Sequence, residues 1–197
     1  MSQIKLLHSG GNGVILSAPD SNPASDRTLK LPGDANSTVD TLSRAGNILQ
    51  VKQTVKLDTF STSSTSLVDV TGLSVDITPT ATSNKVLVRC SVAMSTFSGN
   101  FTYAQLLRGS TFLGEAAAAN NRNRPTMMMY QAFDTTLITQ NFEFLDSPST
   151  TSATTYKIQL RCATSGTAYV NRTHTDTDGV DVQPRLSSTI TVEEVAA

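Results

Sequence analysis

The chain has 197 residues, of which 38% are hydrophobic and 16% are charged. This length favours one medium-sized domain with an appendage over two full domains. The net charge is −1, from 15 basic and 16 acidic residues, and no basic block provides the electrostatic footprint of a nucleic-acid-binding protein. Apolar runs are far shorter than the roughly 18 residues of a membrane-spanning helix, and the start lacks a secretory signal pattern. We therefore expect a protein made in a cytoplasm, with no nucleic acid partner and no membrane insertion.

Residues 1–46 are rich in Gly, Ser, Asn, Asp and Pro, and we predict that they form an extended N-terminal β-arm. Their main apolar residues form two short groups: Val14, Ile15 and Leu16, and then Leu29 and Leu31. Two strands of about three residues bury too little surface to be stable alone in water. We therefore interpret these residues as an attachment arm that docks on a neighbouring polypeptide. Whether the arm is ordered before docking stays open.

Residues 47–197 have a different texture, with alternating apolar and polar residues punctuated by Ser, Thr, Gly, Asn and Pro. The pattern predicts strands at 48–57, 67–77, 85–95, 101–108, 111–113, 127–137, 140–145, 155–162, 168–171 and 187–195. Segment 114–120 is compatible with a loop or a single helical turn. The number and spacing of the strands indicate an all-β fold, an antiparallel β-sandwich head that follows the arm and is either jelly-roll-like or another two-sheet sandwich. We predict the jelly-roll-like arrangement.

Cys90 and Cys162 each lie in phase with the apolar residues of a predicted strand. Two cysteines without metal-ligand spacing indicate neither a disulfide framework nor a zinc site. We therefore expect two buried, reduced thiols.

The strand that begins at residue 127 is apolar on both faces, which requires a cover on both faces. The cover is either the core of the same subunit or a neighbouring subunit, since methionine is common on adaptable contact surfaces. The candidate residues for such an oligomer interface are Met127, Met128, Met129, Tyr130 and Phe133.

Two polar loops could present side chains to a ligand such as a cell-surface polysaccharide. The candidate residues of this ligand loop set are Asn121, Arg122, Arg124, Asn171 and Arg172. No tryptophan is present to form the strongest type of sugar-stacking surface.

Three carboxylates around a glycine, Asp176, Asp178 and Asp181, partly match the start of a calcium loop. The glutamate that closes such a loop is missing, so a solvated turn is the favoured interpretation and no cofactor is expected. His8 and His174 have no nucleophile motif near them, and Glu193 and Glu194 point to opposite faces of a strand. The sequence therefore favours a protein that is not an enzyme.

Several segments resemble tail-fibre-like structural proteins of marine tailed phages, of the kind that infect cyanobacteria. In the arm these are HSGGNGVILSAP at 8–19 and RTLKLPG at 27–33. In the head they are VTGLSVDITP at 70–79, NKVLV at 84–88, QLLRGS at 105–110 and FLDSP at 144–148. The resemblance implies a virion appendage subunit with an attachment arm and a jelly-roll-like head, assembled as a homotrimer and exposed to the host surface. Its partners would be other virion proteins, either a tail hub or adaptor or the capsid, so a capsid decoration protein is an alternative to a tail fibre.

Overall fold

The structure is a computed structural model that describes residues 3–7, 10, 13–17, 44–179 and 183–197. The chain divides into two units, Met1–Asp40 and Thr41–Ala197. In the first unit, β1 (Gln3–Leu7) pairs antiparallel with β2 (Gly13–Ser17), so that Ile4 lies opposite Leu16. The predicted short strand of Val14, Ile15 and Leu16 lies within β2, whereas the sequence analysis did not assign β1. Leu29 and Leu31 lie outside the described residues.

The described part of the second unit consists of strands and the connections between them. In chain order the strands are β3 (Ile48–Lys56), β4 (Phe60–Thr62), β5 (Val68–Ile77), β6 (Lys85–Ser95), β7 (Phe101–Arg108), β8 (Thr111–Leu113), β9 (Met127–Tyr130), β10 (Ile138–Asp146), β11 (Thr154–Cys162), β12 (Ala168–Val170) and β13 (Ser188–Val195). All their pairings are antiparallel. No helix of the described residues has the length and hydropathy to cross a membrane.

The strand order defines a jelly roll. Sheet I has the order β3-β13-β6-β10, and β12 and β4 continue beside the far end of β6. Sheet II has the order β5-β11-β7, with β8 and β9 placed end to end along the outer edge of β7. If β8 and β9 count as one interrupted strand and β4 and β12 as additions, the eight principal strands follow the order 1-8-3-6 and 2-7-4-5, which is the jelly-roll arrangement. The predicted fold class is therefore confirmed.

The core lies between the two sheets and follows from the alternation of side chains along each strand. Val88 and Val92 of β6 and Ile158 and Leu160 of β11 have no exposed surface. Burial of such a side chain contributes about 2 kcal/mol. As predicted, Cys90 and Cys162 are free thiols and are buried in the same core.

The segments that differ from the prediction have local causes. The strand predicted at 127–137 ends at Tyr130, because the buried Gln131 amide donates to the carbonyls of Phe133 and Thr136 and closes a turn. β4 was missed because Phe60 is its one apolar residue and a run of Ser and Thr follows, so the segment shows no alternation. Segment 114–120 is a loop. The other predicted strand boundaries agree to within two residues.

The neighbouring edges of the two sheets are joined by side chains of β3. Thr54 Oγ1 donates to the Ser74 carbonyl of β5 at 2.7 Å, and Gln50 Nε2 donates to the Thr78 carbonyl just beyond β5 at 2.8 Å. These bonds occupy acceptors that would otherwise be available to another strand. The edge of β5 is therefore partly protected from pairing with a second chain.

Candidate functional site

The outer surface of sheet II carries a cluster of aromatic and methionine side chains, which we call the aromatic face: Phe101, Tyr103, Met128 and Tyr130. Phe101 lies opposite Tyr130 and Tyr103 opposite Met128 in the antiparallel register of β7 and β9. The ring centroids of Phe101 and Tyr130 are 4.9 Å apart, and those of Phe101 and Tyr103 are 6.2 Å apart. Met128 is 48% exposed and Tyr130 51%.

The five residues predicted as an oligomer interface divide between core and surface. Met127 and Met129 point inward and are buried, whereas Met128 and Tyr130 point outward to the aromatic face. Phe133 follows in the loop after β9 and is 71% exposed. The subunit's own core therefore covers one face of β9, and in the single chain the other face stays open to solvent.

A cavity of 150 Å³ adjoins the aromatic face at Tyr103. The segment between β8 and β9 supplies part of its wall, and β7 and β11 supply its floor. The lining residues are Leu67, Tyr103, Gln105, Phe112, Glu115, Asn123, Arg124, Pro125 and Arg161. The cavity combines aromatic surface with two guanidinium groups, a composition suited to binding.

The two guanidinium groups of the cavity are held differently. Arg161 lies over the ring of Tyr103, with its Cζ atom 4.4 Å from the ring centroid. Arg124 is 3.5 Å from the Glu115 carboxylate and donates to the Ala116 carbonyl at 3.1 Å. Arg124 is therefore fixed by its own loop, whereas Arg161 is fixed by the sheet.

Side chains close the gap that the segment between β8 and β9 leaves in the edge of sheet II. Gln105 is buried in β7, and its amide nitrogen donates to the Leu113 carbonyl at 3.1 Å. Its amide oxygen accepts from the Thr126 backbone N–H at 3.2 Å. Thr126 Oγ1 in turn accepts from the Leu106 N–H at 3.1 Å. This Gln105–Thr126 clamp positions the cavity wall over the sheet.

The predicted ligand loop residues do not form one site. Arg124 lines the cavity, while Asn121 and Arg122 are exposed and are not among its lining residues. Asn171 is buried, and its amide donates to the carbonyls of Lys56 and Asp58 at 2.9 Å each. Arg172 lies over the ring of Tyr169, with its Cζ atom 4.6 Å from the ring centroid. The structure therefore gives Asn171 a role in the fold, and Arg124 is the one residue of this set that lines the cavity.

The three predicted cation ligands are not grouped as a metal site among the described residues. Asp176 accepts from Arg185 at 2.7 Å and is 3.5 Å from Arg172, and the hydrogen bond from Arg185 holds the pKa of Asp176 below its usual value. Asp178 is exposed, and Asp181 lies outside the described residues. In the part of the chain that the structure describes, no three His, Cys, Asp or Glu side chains are grouped to hold a metal ion.

Sequence reasoning missed Phe101, Tyr103 and Arg161. In β7 the first two alternate with Thr102 and Ala104, a pattern that alone predicts inward aromatic side chains, whereas the structure buries Thr102 and Ala104 and leaves Phe101 and Tyr103 half-buried. Their proximity to Arg161 depends on the pairing of β7 with β11, which the local pattern does not reveal.

No family model matches the sequence, and no curated protein is similar to it. Among solved structures, the chain is similar to the VP2 protein of infectious bursal disease virus. For a mutant VP2 in derived T=1 particles, the identity is 15% over 94% of this chain and 42% of that chain, with a TM-score of 0.40. For a second structure of derived T=1 particles, the identity is 16% over 95% of this chain and 46% of that chain, with a TM-score of 0.41. For a VP2 subviral particle, the identity is 16% over 95% of this chain and 48% of that chain, with a TM-score of 0.36.

This chain spans less than half of the length of those VP2 chains. TM-scores of this size do not establish a common fold. The jelly-roll assignment therefore rests on the strand order described above, and the function proposed below rests on the residues of this chain.

Proposed function

We propose that this chain is a non-enzymatic structural subunit of a virion, assembled as a homo-oligomer through the aromatic face of sheet II. The observation that carries the proposal is the half-exposed pair Met128 and Tyr130 beside Phe101 and Tyr103 on a jelly-roll sheet. Contiguous exposed aromatic and methionine side chains are typical of protein contact surfaces. Burial against a second copy removes them from water.

The more specific role is a tail fibre or related appendage subunit that contacts the host surface. It is supported by the resemblance of the arm and head segments to tail-fibre-like phage proteins. In this role the arm, with Val14, Ile15 and Leu16, adds a strand to a neighbouring virion protein. A trimer is the expected state, and a capsid decoration protein is the alternative placement.

Sedimentation of the purified full chain at micromolar concentration tests the assembly. We expect the wild type to form a discrete oligomer and the double variant Met128→Ser/Tyr130→Ser to sediment as a monomer. Leu145→Ser is the matched control, because Leu145 is 49% exposed on the outer surface of sheet I. A wild-type monomer, or an oligomer that both variants leave unchanged, would contradict the proposal. Immunogold labelling of virions then distinguishes a tail location from a capsid location.

A further inference from the structure

Arg161 lies at the floor of the cavity and has no acidic partner among the described residues. Its described hydrogen bonds run from Nη1 to the Thr65 and Cys162 carbonyls, both at the long distance of 3.4 Å. Over the described ranges of the chain, no carboxylate forms a salt bridge with it. The cation–π contact with Tyr103 positions the guanidinium group and leaves N–H donors for a further partner. A planar guanidinium with open donors recognises a carboxylate by two parallel hydrogen bonds.

The charges of the cavity sum to one positive charge. Arg124 and Arg161 contribute two cations, and Glu115 contributes one anion at 3.5 Å from Arg124. The carboxylate of Glu115 offsets Arg124 and not Arg161, which belongs to a different element. A ligand with one negative charge would therefore complement the cavity and place that charge at Arg161.

The rest of the lining suits the face and the hydroxyl groups of a sugar ring. Phe112, which is 45% exposed, and Pro125 both line the cavity, so both offer apolar surface to ring C–H groups. The exposed amide of Asn123 can donate to and accept from hydroxyl groups. The volume of 150 Å³ is below the roughly 300–1,000 Å³ of pockets for larger ligands, which fits a single ring.

We propose that this cavity binds one carboxylate-bearing sugar residue, such as a uronic acid of an acidic cell-surface polysaccharide, with its carboxylate on Arg161. The inference rests on the proposed function for its biological setting, the contact with a host surface. It moves the binding surface from the tips of two loops to the space between β7, β11 and the segment after β8.

Saturation-transfer NMR and calorimetric titration of the full chain with methyl glucuronide test the site. Methyl glucoside has the same ring without the carboxylate, and acetate has the carboxylate without the ring. We expect glucuronide to bind and both controls to bind at least about tenfold more weakly. No glucuronide binding, or equal binding of glucoside or acetate, would overturn the proposal.

Substitutions locate the site. Arg161→Gln should weaken glucuronide binding about tenfold. If that variant misfolds, Arg124→Gln in the wall of the cavity is the second variant, and it should also weaken binding because it removes the net positive charge of the cavity. Arg122→Gln is the matched control, because Arg122 is exposed in the same loop but does not line the cavity. Binding that is unaffected by both cavity variants, or lost equally in the control, argues against the site. An oligomer that does not bind glucuronide overturns this inference alone, and a monomer that binds it overturns only the proposed assembly.

Discussion

Glu194 is a carboxylate with no exposed surface, held by four hydrogen bonds. Asn84 Nδ2, Gln50 Nε2 and the Thr80 N–H donate at 2.6 Å, and Thr80 Oγ1 donates at 2.8 Å. Burial raises the pKa of Glu194, but these donors together outweigh burial, and the net pKa lies below its usual value. The carboxylate therefore stabilises the fold at neutral pH.

Glu194→Gln should lower the free energy of unfolding by about 2 kcal/mol at pH 7, because an amide group brings donors against donors. Since the folded pKa is lowered, the stabilisation is present above the unfolded pKa of about 4.3 and is lost as the pH falls through the folded value. The difference in the free energy of unfolding between the wild type and Glu194→Gln, measured by urea unfolding, should therefore be smaller at pH 3 than at pH 7. Glu143→Gln, at an exposed ion pair with Arg89, is the control and should change little. An equal loss in both variants, or a loss of Glu194→Gln that does not depend on pH, would refute this account.

The two thiols should be unreactive in the folded protein. Burial raises the pKa of Cys90 to about 12, and Cys162 has no exposed surface. A thiol reagent at pH 8 should label neither cysteine until denaturant is added, since the thiolate is the reacting form. Ser98→Cys introduces an exposed cysteine as a control for reagent activity. Labelling of the native wild type at the rate of that variant would be incompatible with the buried positions.

At the scale of elements, Gly109 and Gly114 frame β8 and provide a matched pair. Both have positive φ, +56° and +68°. A Cβ atom at Gly109 would meet nothing within 4 Å, whereas one at Gly114 would overlap the ring of Phe142 from β10.

Gly109→Ala should cost about 1 kcal/mol of stability, from backbone strain alone. Gly114→Ala should cost about 3 kcal/mol, because Phe142 must also shift. Thermal and urea unfolding of the two variants measure the difference. Equal losses would mean that the ring of Phe142 does not pack against the start of the segment after β8.

The sequence pattern was sufficient to predict the inward-facing residues of strands in which apolar and polar side chains alternate. The runs through β6 and β11 predicted their inward residues, because a strand buried on one face repeats every two residues. The same rule could not assign the residues of β9 to a buried and an exposed face, because Met128 and Met129 are chemically identical. Only the pairing with β7 decides which of the two is buried. The cavity was missed for a related reason: Arg161 and Arg124 are distant in sequence, and the jelly-roll topology brings them together. The sequence pattern placed Asn171 in a ligand loop, because it could not show the carbonyls that the Asn171 side chain binds. These carbonyls belong to Lys56 of β3 and to Asp58 in the turn after it.

At the scale of the whole molecule, the two units should differ in their contribution to stability. Every described core residue belongs to Thr41–Ala197. A protein that begins at Thr41 should therefore keep a β-sheet circular dichroism spectrum and a Tm within about 3 °C of the full chain. If the arm is the attachment segment, the same truncation should abolish incorporation into virions. A truncated chain that fails to fold would contradict the first expectation, and normal incorporation would contradict the second.

Because of the Gln105–Thr126 clamp, the register of the strands in sheet II does not depend on which residues form the segment between β8 and β9. Residues 115–123 lie between Leu113 and Thr126, whose backbone carbonyl and N–H are the two groups that the Gln105 side chain binds. Changes in the length or composition of that segment therefore leave the strand ladder in place. A foreign peptide grafted between Ala116 and Ala119, at residues that are exposed or half-buried in the single chain, should therefore leave the fold of sheet II intact.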